Sequence, residues 1–340
     1  MKKFLKPALI SFLTSRPVSI VTDPLFHNSV PIFMLHRVAN PSAQNEHGIT
    51  SDHLHNCLDY LVDRNYIFLS LESLISALRS NQKLPIKSVV FTMDDGYIDQ
   101  AEIAAPIMLE YNCPLTFFVI TGILDQLLWP WDAKVSWIIE SSLINTLGAS
   151  ATIKKLNLKF DGTFNRKTLR RSIQETLKKL DADSVSATVQ SLADDAELTI
   201  PNKAPPGFQP MTWAMARTLE DRGVHFAPHS TSHNILSKLD QNSMEREILD
   251  SWDRLKSELK NPLKIFCYPN GTAMDFGNRE IVFLKESGFL GAVSTIPKIV
   301  KYKITSDDYI HTLPRLSLPD NMPEFIQYCS WIERARAMFT

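Results

Sequence analysis

The sequence predicts an α/β protein built on a mainly parallel sheet or barrel. Short β-rich runs alternate with stretches of helical periodicity, which is the pattern of repeated βα units. The run SVVFTM (88–93) is apolar throughout, as a parallel strand buried on both faces requires. Between Trp129 and Pro210 this rhythm gives way to helical stretches alone, which marks an insertion between two βα units.

The elements follow in order. PIFML (31–35) reads as a strand ending at His36. Asp52 is placed to cap a helix whose apolar positions Leu54, Cys57, Leu58 and Leu61 keep helical spacing. YIFLSL is a short extended run and LESLISALRS a helix. SVVFTM is a second core strand, followed by a helix over 101–111 and a third strand, PLTFFVI (114–120). After the insertion come VHFA (224–227), a helix over 242–260, KIFCYP (264–269), a helix over 277–287 and FLGAVS (289–294). Within the insertion, WPWDAKVSWIIESSLINTL and RKTLRRSIQETLKKL read as helices, leaving through the Pro-rich PNKAPPGFQP. The insertion either packs on its own core or walls a cleft, since long elaborations of barrels tend to lie near the active face. The expected organisation is an N-terminal segment (1–28), a main domain (29–320) carrying the insertion (129–210), and a C-terminal helix (321–340).

Composition narrows the function classes. The chain has 340 residues, 44% hydrophobic and 21% charged, with a formal net charge of −1. Such a near-neutral balance argues against a general nucleic-acid binder. Cys57, Cys113, Cys267 and Cys329 lack C-x-x-C spacing and suggest neither a zinc ribbon nor a disulfide framework. A reducing, cytoplasmic setting is the simplest fit, with export left open. The N-terminus MKKFLKPALISFLTSRP is broken by Lys6 and Pro7 and is too short to span a bilayer. Its Lys and Arg residues flank Phe4, Leu5, Leu9, Ile10, Phe12 and Leu13. Residues 1–15 therefore either lie on a membrane surface or form a helix packed on the domain.

Two stretches carry the chemistry. FTMDDGY (91–97) sets Asp94 and Asp95 side by side where a buried strand stops. Alone this is an acidic turn, because Asp-Gly is a common turn dipeptide. HFAPHSTSHNIL (225–236) sets His229 and His233 four residues apart just after a strand, a spacing that puts both imidazoles on one face of a helical turn. No Glu follows the first His, so the H-E-x-x-H pattern is absent and a base must come from elsewhere. Strand ends on one face of a βα barrel converge in space, and the Asp pair is the natural supplier. One acid completes a His-His-Asp metal set with open positions; the other holds and deprotonates a water. A cation beside the pair removes much of the penalty for two adjacent carboxylates.

FTMDDGY, HSTSH and YPNG (268–271), in that order, resemble the polysaccharide deacetylase family, the NodB-homology or carbohydrate esterase family 4 enzymes. The resemblance runs from PIFMLHRV (31–38) to LPRL (313–316) and includes the pattern DDGYID…PLTFFVITG. It implies a distorted (β/α) barrel of about seven strands and a hydrolase acting on N-acetyl, sometimes O-acetyl, groups of sugars. It assigns Asp94 as catalytic base, and Asp95, His229 and His233 as metal ligands. The YPNG segment would line the site, with Tyr97, Tyr268, Pro269, Gly271 and Arg315 as substrate-side residues. A backbone N–H near Asn270 would serve as oxyanion donor.

The sequence departs from the family pattern in two places. Many members carry an Arg two residues before the proline of the YPNG-type segment, steadying the base; here Cys267 stands there, and Arg315 is the candidate to replace it. The Leu-x-x-His motif that supplies a general acid in many members has no clean match. His36 in MLHRV falls on the expected active face and is preferred to His311 as that residue, with a hydrogen bond holding the strand end as its alternative role.

The expected activity is metal-dependent N-deacetylation of an amino sugar in a polysaccharide, oligosaccharide or glycolipid. The ion is expected to be Zn²⁺, with Co²⁺, Ni²⁺ or Fe²⁺ compatible. O-acetyl ester hydrolysis, N-formyl removal, or a carbohydrate-binding relative with impaired chemistry are the alternatives. Trp129, Trp131 and Trp137 are either sugar-stacking rings or core, with core favoured for Trp137.

Overall fold

A computed structural model describes residues 6–27, 29–39, 48–143, 147, 150–158, 165–302, 306 and 308–339. The chain divides into two compact units, Met1–Thr121 with Met211–Thr340, and Gly122–Pro210.

The first unit is a parallel barrel. Its strands are labelled β1 (Ile32–Leu35), β2 (Ile67–Phe68), β3 (Ser88–Asp95), β4 (Leu115–Val119), β5 (His225–Pro228), β6 (Ile265–Cys267), β7 (Gly291–Val293) and β8 (Leu316–Ser317). The order β8-β1-β3-β4-β5 forms one parallel sheet, with β2 pairing the start of β3. β6 and β7 pair parallel with each other. The wall is distorted where these two groups meet. Leu263 N donates to Phe226 O at 2.7 Å between the β5 and β6 sides. On the far side, Ser294 N donates to Leu313 O at 2.8 Å just ahead of β8. This is the distorted (β/α) barrel expected, with short β2 set beside the start of β3, off the main strand order.

The apolar runs explain the strands. All eight residues of β3 are buried, and Ile32, Val90, Phe118, Ala227, Ile265 and Val293 from six strands share one core. Burying such side chains stabilises by about 1.5–3 kcal/mol each, which anchors the strand that carries the two acids. The helix Ser51–Asp63 buries Leu54, Cys57, Leu58 and Leu61 as its spacing predicts. Its cap is Thr50, not Asp52: the Thr50 side chain accepts from His53 N at 3.1 Å, and Asp52 lies in the first turn. The helix expected over 101–111 is a π turn, Gln100–Ala104, continued by α-helix Ala105–Glu110. Pro106 has no N–H to give, so one α ladder cannot run through it. The C-terminal helix is two helices, Met322–Cys329 and Trp331–Phe339, parted at Ser330.

Residues 1–5 of the N-terminal segment, and Thr340, lie outside the described residues. Pro7–Leu13 and Arg16–Thr22 are short helices. Ile10 is buried, Leu13 O accepts from Trp331 Nε1 at 3.0 Å, and Thr14 O accepts from Arg64 Nη1 at 2.8 Å. The segment therefore packs on its own unit, yet Phe12, Ile20, Val21 and Leu25 remain exposed. Among the described residues, no helix is long and apolar enough to cross a membrane.

The second unit, Gly122–Pro210, is helical around its own core of Val135, Ile138, Leu169, Ile173, Leu177 and Leu192. Trp129 is buried against Trp137 and Phe208, with ring centroids 6.1 Å away in both cases. Trp131 also packs on the unit's core, so these three rings are packing residues. All four cysteines are free and buried.

Candidate active site

Parallel register brings the motif residues to one level. Leu35 pairs with Met93, so His36 follows its strand where Asp94 follows Met93. Asp95 pairs with Val119, and Val119 pairs with Pro228. His229 then continues the ladder, its N–H donating to Val119 O at 3.0 Å. Acids and histidines more than a hundred residues apart in sequence thus share one barrel end.

Strand alternation should send adjacent side chains to opposite faces. Asp95 escapes this with a φ of +84°, a left-handed conformation uncommon for any residue but glycine. Gly96 follows at φ +93°. Both carboxylates can therefore serve the same site, and the turn reading survives as the device that aims them.

Nε2 of His229 and Nε2 of His233 lie 3.7 and 3.9 Å from Asp95 Oδ1. These separations exceed a hydrogen bond, and the three ligand atoms all lie within 4.8 Å of one another. His229 Nδ1 is 2.8 Å from Cys267 O, which places the ring proton on Nδ1 and leaves the Nε2 lone pair free for a ligand role. Burial, joined by the nearby His233, lowers the His229 pKa to about 3 and keeps the ring neutral. Two imidazoles plus one carboxylate suit a divalent ion of the zinc type, and Asp95, His229 and His233 are the residues that fit it.

The H-x-x-x-H segment is not the helical turn its spacing suggests. Ser230 and His233 adopt left-handed φ values of +65° and +63°. His233 N donates to Ser230 Oγ at 2.9 Å, so side chains replace a helical ladder.

Asp94 faces the barrel interior and is 1% exposed. Burial alone would push its carboxyl up, but the Arg315 guanidinium outweighs this and holds it well below the usual carboxylate range. Arg315 Nη1 and Nη2 each lie 2.7 Å from one oxygen of Asp94. The remaining Arg315 donors reach Ser294 O at 3.0 Å, Thr92 Oγ1 at 3.0 Å and Cys267 Sγ at 3.1 Å. All five N–H groups are thereby used. Cys267, where the resemblance led an Arg to be expected, lies against Arg315, and Arg315 takes that place beside Asp94. Arg315 is 0% exposed, so its expected contact with substrate is corrected to a contact with Asp94.

Other expected substrate-side residues are also interior. Tyr268 stacks on Phe276 with centroids 3.9 Å apart, and its hydroxyl donates to His311 O at 2.9 Å. Tyr268 is thus corrected to a core residue. Pro269 and Gly271 are buried, and Asn270 between them is half-buried at φ +58°. Asn270 Nδ2 is a buried donor without a hydrogen-bond partner among the described residues. A side chain at Gly271, itself at φ +65°, would meet Thr295 N and Tyr268 O at 3.0 Å. Tyr97 is buried, with the Arg37 guanidinium 4.3 Å from its ring centroid. His36 is exposed, its Nε2 3.9 Å from Asp94 Oδ2. His311 is buried, with Nε2 3.1 Å from Phe289 O, inside the wall.

Sequence reasoning missed two braces. Gln100 Nε2 donates to His36 O at 2.6 Å and also to Asp94 O, tying the two strand ends together. The π turn that presents Gln100 is a feature often found at functional sites. Asp99 accepts from Arg37 Nε at 2.9 Å and Val38 N at 2.8 Å, fixing the chain just after His36. Their nearness to the acids in DDGYIDQ was the available signal.

An ionised, arginine-held carboxylate beside a His-His-Asp metal set, at the strand ends of a parallel barrel, is the equipment of a metal-assisted hydrolase. The family model described as polysaccharide deacetylase matches residues 149–282, which hold His229, His233 and the YPNG segment but not the Asp pair. No curated protein sequence matches the chain. Among solved structures, Streptococcus pyogenes deacetylase PplD in complex with acetate has a TM-score of 0.58 at 20% identity, over 89% of this chain and 98% of its own. IcaB from Ammonifex degensii has a TM-score of 0.57 at 15% identity, over 90% and 97%. The de-N-acetylase from Aggregatibacter actinomycetemcomitans has a TM-score of 0.55 at 18% identity, over 87% and 97%. At these identities the structural likeness establishes the fold. The family match adds, over residues 149–282, a similarity to polysaccharide deacetylases that takes in both histidines.

Proposed function

We propose that the protein removes N-acetyl groups from an amino sugar of a polysaccharide, oligosaccharide or glycolipid. The observation that carries this is the pairing of two carboxylates with separate partners, Asp94 on Arg315 and Asp95 with His229 and His233. Asp95, His229 and His233 would hold a divalent ion, Zn²⁺ by the donor set, which when bound would supply Lewis acidity at the site. Asp94, kept ionised by Arg315, takes the proton from the attacking water. A donor of the Asn270 segment, backbone N–H or the buried Nδ2, meets the developing oxyanion. His36 delivers a proton to the leaving amine. Incubating the metal-loaded enzyme with acetylated glycans and following mass and released acid tests this. Loss of one acetyl group with free acetate is expected; release of formate, or cleavage of O-acetyl esters alone, would replace the reading with deformylation or esterase action. Metal uptake without turnover on any acetylated sugar would leave a binding protein.

We also propose peripheral contact with an anionic membrane through the N-terminal helices. Phe12, Ile20, Val21 and Leu25 are exposed there beside exposed Lys6 and Arg16. The one acid of this stretch, Asp23, is buried 3.0 Å from Lys87 Nζ. Exposed apolar side chains beside exposed cations suit a headgroup surface. Co-sedimentation with phosphatidylglycerol vesicles, weakened by Phe12→Ser with Ile20→Ser and absent with phosphatidylcholine alone, is the expected result. Vesicle binding unchanged by both substitutions, or self-association through this face instead, rules it out.

A further inference from the structure

We propose that Glu247 is a positioning residue for the metal-binding loop, setting the distance between His229 and His233. This rests on the reading of those histidines, with Asp95, as metal ligands. Glu247 lies on the helix Gln241–Glu258, whose start is capped by Asp240 and whose Met244 and Ile248 are buried. Anchored in this way, the helix presents Glu247 to the loop between the two histidines. Glu247 Oε2 accepts from Thr231 N at 3.0 Å and from Ser232 N at 2.9 Å. Oε1 accepts from the Ser232 hydroxyl and from Asn234 Nδ2 at 3.3 Å.

One carboxylate therefore gathers two consecutive backbone N–H groups and the Ser232 side chain from the loop, and the Asn234 side chain just after it. The loop needs such a partner. Its ends, Ser230 and His233, are both left-handed non-glycine residues, a conformation that persists only where surroundings over-determine it. Ser230 Oγ holds His233 N, and Glu247 holds the two residues between. Hydrogen bonds from backbone N–H to an ionised acceptor are the stronger kind. With the carboxylate removed, Thr231 and Ser232 can relax toward ordinary backbone angles. His233 would then swing away from His229, whose ring is separately fixed on Cys267 O.

A merely structural tie would change thermal stability and leave the metal site intact. The test is therefore Co²⁺ binding, followed by calorimetry and visible absorption on metal-free protein, beside thermal melts of the same samples. Glu247→Ala is expected to weaken Co²⁺ binding about ten- to hundredfold, the size of effect seen when groups supporting metal ligands are lost. Its ligand-field spectrum should also change, while the melt stays cooperative. Glu247→Gln, which keeps an oxygen to accept both N–H groups, should recover part of the affinity. Should Glu247→Ala fail to fold, Glu247→Asp, one methylene short of the loop, takes its place with the same expected weakening. Wild-type affinity and spectrum in either variant overturns the proposal. Asp95→Asn runs alongside: Co²⁺ affinity there equal to wild type would instead overturn the metal-site reading on which the proposal rests.

Discussion

Arg315 and Asp94 form a buried two-pronged ion pair, with each guanidinium Nη nitrogen 2.7 Å from one carboxylate oxygen. The pair joins residues 221 positions apart, and it answers why a carboxylate can be buried here and still be ionised. Replacing Arg315 by Met removes the partner and leaves Asp94 in the barrel interior. Loss of one member of a buried pair costs about 3–5 kcal/mol of stability. Burial then pushes the Asp94 carboxyl up, so the acid limb of the pH–rate profile should move toward neutral pH. Denaturant melts and pH–rate profiles of Arg315→Met check both; an unmoved acid limb would separate Arg315 from the base.

Asp94→Asn keeps the shape of the side chain and removes its basicity. Turnover should fall by about 10²–10⁴-fold, the usual contribution of a positioned acid or base. Metal stoichiometry by elemental analysis should stay at the wild-type value, because Asp95, His229 and His233 are untouched. Loss of metal together with turnover would mean that the two carboxylates do not divide the work as described.

His36 sits 3.9 Å from Asp94 Oδ2 on the open side of the barrel end. If it protonates the leaving amine, His36→Ala should lower turnover steeply on sugar acetamides. On an activated acetyl ester, whose leaving group needs no proton, the loss should be much smaller. Equal losses on both substrates would reassign His36 to binding.

The metal-free protein should lose stability as pH falls below the usual His range. His229 is neutral in the fold down to about pH 3, whereas an unfolded chain protonates its imidazole near 6.5. Between those values the unfolded state binds one proton more, so stability falls as pH drops, by up to about 1.4 kcal/mol per pH unit. Asp94 adds a further loss only at lower pH, where unfolded carboxylates protonate. Urea melts at pH 7, 6 and 5 should show this slope in wild type and a flatter one in His229→Gln. Parallel slopes would place the proton uptake elsewhere.

The sequence determined the barrel strands and the four motif residues at their ends. An uninterrupted apolar run such as SVVFTM has one economical place, between two layers, and parallel strands then bring their C-terminal residues to one level. That is why Asp94, Asp95, His229 and His233 could be read together before any distance was known. Periodicity misjudged the loop of HSTSH, because side-chain acceptors from Ser230 and Glu247 replaced the helical ladder that spacing alone implies. Only the tertiary structure decided the partners. Arg315, Gln100 and Glu247 act across the barrel or from a neighbouring helix, through side-chain reach and left-handed turns that no local pattern encodes. The two acids of FTMDDGY became different tools for the same reason: a positive φ at Asp95 turned one toward the histidines, and a distant arginine claimed the other.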